Sequence, residues 1–74
     1  MKKSVYIKGK VVGEPVFSSN RCRFAISTDN GIYIMTAEEF ADLGMVVNGK
    51  NLEIMGNYNE ETPKQINVDT IFFT

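Results

Sequence analysis

The chain has 74 residues, a net charge of −1 and 43% hydrophobic residues, which predicts one small globular domain over residues 1–74. No apolar run reaches the about 20 residues of a membrane-spanning helix. The chain has no histidine and a single cysteine, Cys22. These counts exclude histidine-dependent catalysis, histidine-ligated metal sites and an internal disulfide, and the free cysteine indicates a reducing, cytoplasmic location.

The first predicted strand contains the sequence SVYIKGKVV, residues 4–12. Val5, Ile7 and Val11 alternate with polar or aromatic residues, so we expect them to lie on the buried face. The opposite, exposed face would carry Tyr6, Lys8 and Lys10. Gly9 interrupts the apolar row, where glycine usually marks a bulge or a bend.

Residues 13–20, GEPVFSSN, are predicted to form a loop, because the residue before a proline favours extended or turn geometry. The second predicted strand is RCRFAIST, residues 21–28. Its alternation places Arg21 and Arg23 on the exposed face and Phe24 and Ile26 in the core. Cys22 belongs to the same apolar row and is interpreted as a small buried side chain.

A hairpin is predicted next, because Asn30-Gly31 stands between two alternating runs and both residues tolerate positive φ. The third predicted strand is IYIMT, residues 32–36. On our interpretation Ile32 and Ile34 face one side, while Tyr33 and Met35 face the exposed side.

A short helix is predicted over TAEEFADLG, residues 36–44. Thr36 with Glu39 forms a capping-box pattern, Phe40 and Leu43 share one side, and Gly44 suits the C-terminal cap.

Two further strands complete the prediction, LEIMGNY over residues 52–58 and INVDTIFF over residues 66–73. Leu52, Ile54, Ile66 and Val68 are predicted to face the core. The alternation slips near residue 70, so the burial of the last three apolar residues stays open: Ile71, Phe72 and Phe73.

Five strands with a helix between the third and the fourth predict an all-β OB-fold, a partly open Greek-key barrel. The alternatives are a four-stranded sheet with one helix and an SH3-like barrel. An SH3-like barrel usually has no capped helix at that point.

The net charge conceals an uneven distribution along the chain. Residues 1–30 contain six basic and two acidic side chains, a net charge of +4, whereas residues 31–74 contain two basic and seven acidic ones, a net charge of −5. We therefore expect one basic face, which leaves a polyanionic partner open despite the acidic total.

Three segments resemble the bacterial single-stranded DNA-binding protein family: VYIKGKVVGEPVF, CRFAIST and VVNGKNLEIMGNYN. The shared features are an apolar strand with a central glycine, then Pro15, then the alternating Phe24 strand, and Gly49 before the Leu52 strand. The resemblance runs from about residue 4 to residue 73. In length the chain is nearest to small dimeric members of the primosomal replication protein B type.

The chain departs from this family in three ways. It has no tryptophan, its hairpin between the fourth and fifth strands is short, and it lacks an acidic tail after IFFT. These departures favour a compact accessory member from a phage, plasmid or conjugative element.

The resemblance implies a single-stranded nucleic-acid binder, with DNA favoured and RNA as an option. Such binding needs cations for phosphates and flat rings for bases. The predicted contact residues are Tyr6, Lys8, Lys10, Phe17, Arg21, Arg23, Tyr33 and Tyr58. Each basic residue could equally be a solvated side chain, and Tyr6 and Tyr33 could instead form a cross-strand pair.

The predicted function is therefore single-stranded nucleic-acid binding with low sequence specificity, in an accessory role in DNA replication, repair or transfer. The alternative is a protein-interaction or assembly module on the same barrel. No catalytic constellation, metal site or cofactor is predicted. The small core favours a homo-oligomer, a dimer or tetramer.

Overall fold

Five strands form a closed barrel in the computed structural model, which describes residues 2–38 and 43–73. The strands are β1 (Lys2–Ser18), β2 (Arg21–Thr28), β3 (Gly31–Glu38), β4 (Asn51–Asn59) and β5 (Gln65–Phe73). Their order around the barrel is β1-β2-β3-β5-β4. The pairing of β3 with β5 is parallel and the others are antiparallel. The predicted all-β, five-stranded architecture of the OB type is confirmed, with the barrel closed rather than partly open.

The barrel closes because β1, the first strand, pairs with both β2 and β4. Residues 2–10 pair with β4 and residues 10–18 pair with β2, so Lys10 lies opposite both Ser27 and Asn51. Gly9 precedes this junction. A Cβ atom at Gly9 would lie 2.4 Å from the carbonyl oxygen of Ser27 and 2.5 Å from a side-chain methyl of Ile26. The close approach of the two strands therefore requires glycine here.

The loop predicted over residues 13–20 is wrong for most of its length, because β1 continues to Ser18. Val16 pairs with Arg23, and the register is interrupted between Val12 and Val16. Pro15 lies within this interruption, so its missing N–H removes no bond of the regular ladder. Gly13 has a φ of 81° in the same stretch. The proline thus marks an irregularity within a strand rather than its end.

The β2–β3 hairpin is confirmed, but the faces predicted for β3 are reversed. Thr28 pairs with Gly31, which leaves two residues in the loop, and Ile26 pairs with Tyr33. Met35 is fully buried, whereas Ile32 is exposed. The prediction that Met35 and Tyr33 point outward is therefore wrong, because paired residues on adjacent strands point to the same side of the sheet.

The helix predicted over residues 36–44 is only partly testable. Thr36 belongs to β3, so its predicted capping role is wrong. The predicted positions of Glu39 and Phe40 lie outside the described residues. Leu43–Met45 forms a single 3-10 turn, and no helix among the described residues is long and apolar enough to cross a membrane.

The core agrees with the prediction on β1, β2, β4 and β5. Its fully or almost fully buried apolar residues are Ile7, Val11, Cys22, Phe24, Ile26, Met35, Ala37, Val46, Leu52, Ile54, Ile66 and Val68. The slip predicted near residue 70 is confirmed, because the β4–β5 register shifts between Met55 and Gly56. Beyond it, Ile71 and Phe73 pack against the core and Phe72 is exposed.

Candidate nucleic-acid interface

The predicted contact residues do not form one surface. Tyr6, Lys8 and Tyr33 line one groove, and Arg21 and Arg23 line another. The first groove lies beside the β2–β3 turn and the second beside the β1–β2 turn, so they occupy opposite ends of β2.

We name the first of these the tyrosine groove. It forms where β1 leaves β2 to pair with β4, because β1 pairs with β2 only from Lys10 onward. Its volume is about 270 Å³, and it is lined by Val5, Tyr6, Ile7, Lys8, Thr28, Asp29, Asn30 and Tyr33. Two tyrosines and a lysine are therefore among the residues that line one concavity.

Tyr33 is half-buried at the rim of the barrel and packs against the core. The Nζ atom of Lys64 lies 4.9 Å from the centre of its ring, within the range of a cation–π contact. Lys64 Nζ also donates a hydrogen bond to the carbonyl oxygen of Asn30. These contacts connect the segment between β4 and β5 to the β2–β3 turn and bring a second cation to the tyrosine groove.

Tyr6 projects from the outer side of β1 and is 54% exposed. Its hydroxyl donates a hydrogen bond to Glu53 Oε1 on β4. This bond is the main cause that raises the pKa of the Tyr6 phenol above its ordinary value. This bond directs the ring toward β4, where Tyr6 also lines another concavity with Met55 and Gly56.

We name the second concavity the arginine groove. Its volume is about 670 Å³, and it is lined by Val16, Ser18, Ser19, Asn20, Arg21, Arg23 and Glu38. Arg21 Nε lies 2.9 Å from Glu38 Oε1, and both side chains are more than half exposed, so this pair contributes little to stability. Arg23 forms no ion pair within residues 2–38 and 43–73 and lies between Val16 and Thr36.

The other predicted contact residues lie elsewhere. Lys10 is exposed on the outer face of β1, opposite Ser27. Phe17 is 60% exposed, but it lies on the opposite side of β1 from Val16 and Ser18 and lines neither groove. Tyr58 is half-buried and packs against the core.

Sequence reasoning missed Lys64 and the two residues of the β2–β3 loop, Asp29 and Asn30. The sequence gives little indication of a role for Lys64, which is a single basic residue next to Pro63 in an acidic segment. For Asp29 and Asn30 the signal was the TDNG turn itself, which predicted a hairpin but not its proximity to Tyr6. Proximity across the barrel depends on β1 changing partners at Lys10.

Apolar side chains are exposed on the outer face of β1, β2 and β3. Val12, Val16 and Ile32 are exposed, and Ala25 and Ile34 beside them are half-buried. We refer to these five residues as the outer apolar face. Its position between the two grooves makes it a candidate contact surface for any ligand or partner of this side of the barrel.

The described residues contain no group of three or more histidine, cysteine, aspartate or glutamate side chains arranged to hold a metal ion. Burial raises the pKa of the Cys22 thiol above its ordinary value. A buried, protonated thiol is a poor nucleophile, so Cys22 belongs to the core, as predicted.

Comparison with known proteins supports the fold. No protein-family model matches the chain, and no curated protein matches it. The chain is similar to the crystal structure of the ZRD-deleted mutant of TiaS in complex with agmatine, with a TM-score of 0.75 and 22% identity. The match covers 96% of this chain and 21% of that one. At this identity the likeness shows a shared barrel fold alone.

Proposed function

We propose that the protein binds single-stranded nucleic acid, in the first place DNA, with low sequence specificity, and that the tyrosine groove is the centre of its binding site. The observation that carries this proposal is the joint presence of Tyr6, Tyr33 and Lys8 around one groove. Aromatic rings can stack on any base and lysines can neutralise phosphates, which is the chemistry that sequence-independent binding requires.

Tyr6 and Tyr33 would contact a bound base in different ways. The Tyr6 ring is exposed and its hydroxyl is bonded to Glu53, so the ring already has a fixed position in which a base can stack on it. One side of Tyr33 already carries the ammonium group of Lys64. A base at Tyr33 would therefore meet a ring and a cation together, and Lys64 could turn toward a phosphate.

The biological setting remains part of the proposal. An accessory role in DNA replication, repair or transfer, a cytoplasmic location and an origin in a mobile element rest on the resemblance to single-stranded DNA-binding proteins. RNA is the alternative ligand, and parallel titrations with oligo-dT and oligo-U would separate the two.

The test is binding of fluorescein-labelled oligo-dT, followed by anisotropy at low salt, for the wild type and Tyr6→Leu. Loss of one stacked base is expected to cost about 1–3 kcal/mol of binding free energy. Phe72→Leu is the matched control, because Phe72 is also an exposed aromatic residue but lines neither groove. It is expected to bind as the wild type does. Absence of wild-type binding at low salt would refute the proposed function.

The outer apolar face favours a second candidate function, an assembly module that packs this face against protein. A second copy of the chain is the first partner to consider, because a homo-oligomer is predicted from the small core. Exposed apolar residues in one patch often mark such contacts. Light scattering should then show a dimer or tetramer that Ile32→Lys dissociates. A monomer at high micromolar concentration would contradict this candidate.

A further inference from the structure

We propose that a single strand of nucleic acid runs from the tyrosine groove along the outer side of β1 and β2 to the arginine groove. This inference rests on the proposed function and adds a second contact point to it. Its consequence is a minimum length, because only a strand that reaches both grooves gains the arginine contacts.

The register of the sheet defines the route between the two grooves. Adjacent rows of paired outward residues cross β1, β2 and β3 in order along β2. The rows are Lys10–Ser27–Ile32, then Val12–Ala25–Ile34, then Val16–Arg23–Thr36. Lys8, in the tyrosine groove, points to the same side of β1 as Lys10. The route therefore begins and ends at cations and crosses an uncharged middle row.

The charges along this route suit a polyanion. Lys8 and Lys10 stand at its beginning, and Arg23 and Arg21 at its end. Glu38, at the far end, forms an ion pair with Arg21 through Nε, which leaves the terminal guanidinium nitrogens of Arg21 for a phosphate. The middle row offers side chains of valine, alanine and isoleucine, which can contact sugars and base faces without a charge penalty.

The length of β2 sets the expected threshold. Seven residue steps separate residue 21 from residue 28, which corresponds to about 24 Å at the strand rise of about 3.4 Å. A stacked strand rises about 3.4 Å per nucleotide, so about seven stacked nucleotides, or fewer extended ones, connect the grooves. A trinucleotide is too short to occupy both.

The experiment compares dT3, measured by competition, with dT10, measured by anisotropy, across a series of salt concentrations. For dT10, Arg21→Gln/Arg23→Gln is expected to reduce the slope of log K against log[salt] by about 1.4, since each phosphate contact contributes about 0.7. Between 50 and 200 mM salt this is about a sevenfold difference in the loss of affinity. The affinity for dT3 is expected to stay at the wild-type value.

Lys3→Gln provides the matched control for Arg23→Gln, because each removes one positive charge. Lys3 forms an ion pair with Glu60, lies opposite Tyr58 and lines neither groove. It should leave the dT10 slope unchanged, whereas Arg23→Gln should lower it by about 0.7. Equal effects of the arginine changes on dT3 and dT10, or an unchanged dT10 slope, would overturn the route and leave the tyrosine groove standing. Failure of the wild type to bind either length would remove the proposed function itself.

Discussion

At the scale of single residues, Gly9 is a position where the barrel has no room for a side chain. A Cβ atom there would meet the backbone oxygen of Ser27 and the Ile26 side chain at about 2.5 Å or less. Backbone cannot rotate away as a flexible side chain can, so a methyl group would have to separate β1 from β2. The glycine therefore fixes how closely β1 can approach β2 as it changes partners.

Gly9→Ala is expected to lower the free energy of unfolding by about 1–3 kcal/mol, the usual cost of overpacking. Urea denaturation followed by circular dichroism measures this. Gly44→Ala is the control, because a Cβ at Gly44 would meet nothing within 4 Å, and its effect should stay within about 0.5 kcal/mol. Equal stabilities of the two variants would show that the strands separate without cost.

The buried thiol of Cys22 makes the free energy of unfolding depend on pH. Burial raises the pKa of its thiol above the ordinary value of 9.0, so the unfolded chain loses the proton first as pH rises. The protonated thiol therefore contributes stability that is complete below pH 9 and is lost above it. The wild type should lose more stability between about pH 8 and about pH 10 than Cys22→Ala does. Parallel urea titrations at both pH values measure this difference, and equal losses would contradict the burial of the thiol.

The candidate site was predictable residue by residue only in part. The alternation of apolar and polar residues correctly predicted which side chains are exposed, because each lies on a strand with a clear apolar row. These are Tyr6, Lys8, Lys10, Arg21 and Arg23. Their grouping was not predictable in this way. Which of them share a groove depends on where β1 leaves β2, and that point is a property of the barrel rather than of any single strand.

At the scale of elements, β3 shows that register can outweigh hydrophobicity. The isoleucines at 32 and 34 look like core residues, yet the hairpin decides otherwise. A two-residue loop pairs each even-numbered residue of β2 with an odd-numbered residue of β3, as Phe24 with Met35. Because Phe24 and Ile26 point inward, their partners do too. The sequence contained this information, since TDNG predicted the hairpin whose parity fixes the faces.

Met35→Ala is therefore expected to lower the free energy of unfolding by about 2–5 kcal/mol, because the removed side chain leaves a cavity in the core. Met55→Ala is the control, since Met55 on β4 is 47% exposed and its replacement should cost about 0.5 kcal/mol or less. Chemical denaturation of both variants tests the assignment. A cost at Met55 that matched or exceeded the cost at Met35 would contradict the observed faces.

Strand β1 shows the limit of turn signals within an element. Glu14-Pro15 predicted a loop over residues 13–20, but the chain resumes pairing at Val16 and β1 continues to Ser18. A proline can end a strand or occupy a bulge within it, and local sequence does not distinguish the two. The difference matters for the site, because the resumed pairing positions Val16 and Ser18 in the arginine groove.

At the scale of the whole molecule, all five strands contribute to one core. No group of strands forms a separate core within residues 2–38 and 43–73, and β1 pairs with β4 through its first half and with β2 through its second half. Loss of either pairing opens the barrel and exposes the same buried residues. We therefore expect unfolding to be cooperative.

Tyrosine fluorescence and far-ultraviolet circular dichroism should report one coincident urea transition. Two of the three tyrosines, Tyr6 and Tyr33, line the tyrosine groove, and the third, Tyr58, packs against the core. The circular dichroism signal averages over all strands, so Tyr58→Phe is used in both measurements to restrict the fluorescence to the groove. Displaced midpoints would show that the tyrosine groove opens before the barrel does.

The net charge of the molecule is a poor guide to its binding surface. Six of the eight basic residues lie in the first thirty positions, and those positions supply all of β2 and the long β1. Four of them border the two grooves and the route between them. The single basic face expected from the charge distribution is thus divided, with Lys8 in one groove and Arg21 and Arg23 in the other.

The double pairing of β1 also determines how the molecule should respond to mechanical force. Lys2 lies opposite Asn59 at one end of β4, and Phe73 lies opposite Leu52 at its other end. Tension applied between residues 2 and 73 therefore pulls β1 and β5 in opposite directions along β4. The interstrand bonds are loaded in shear and must resist together, instead of opening one after another from a free end.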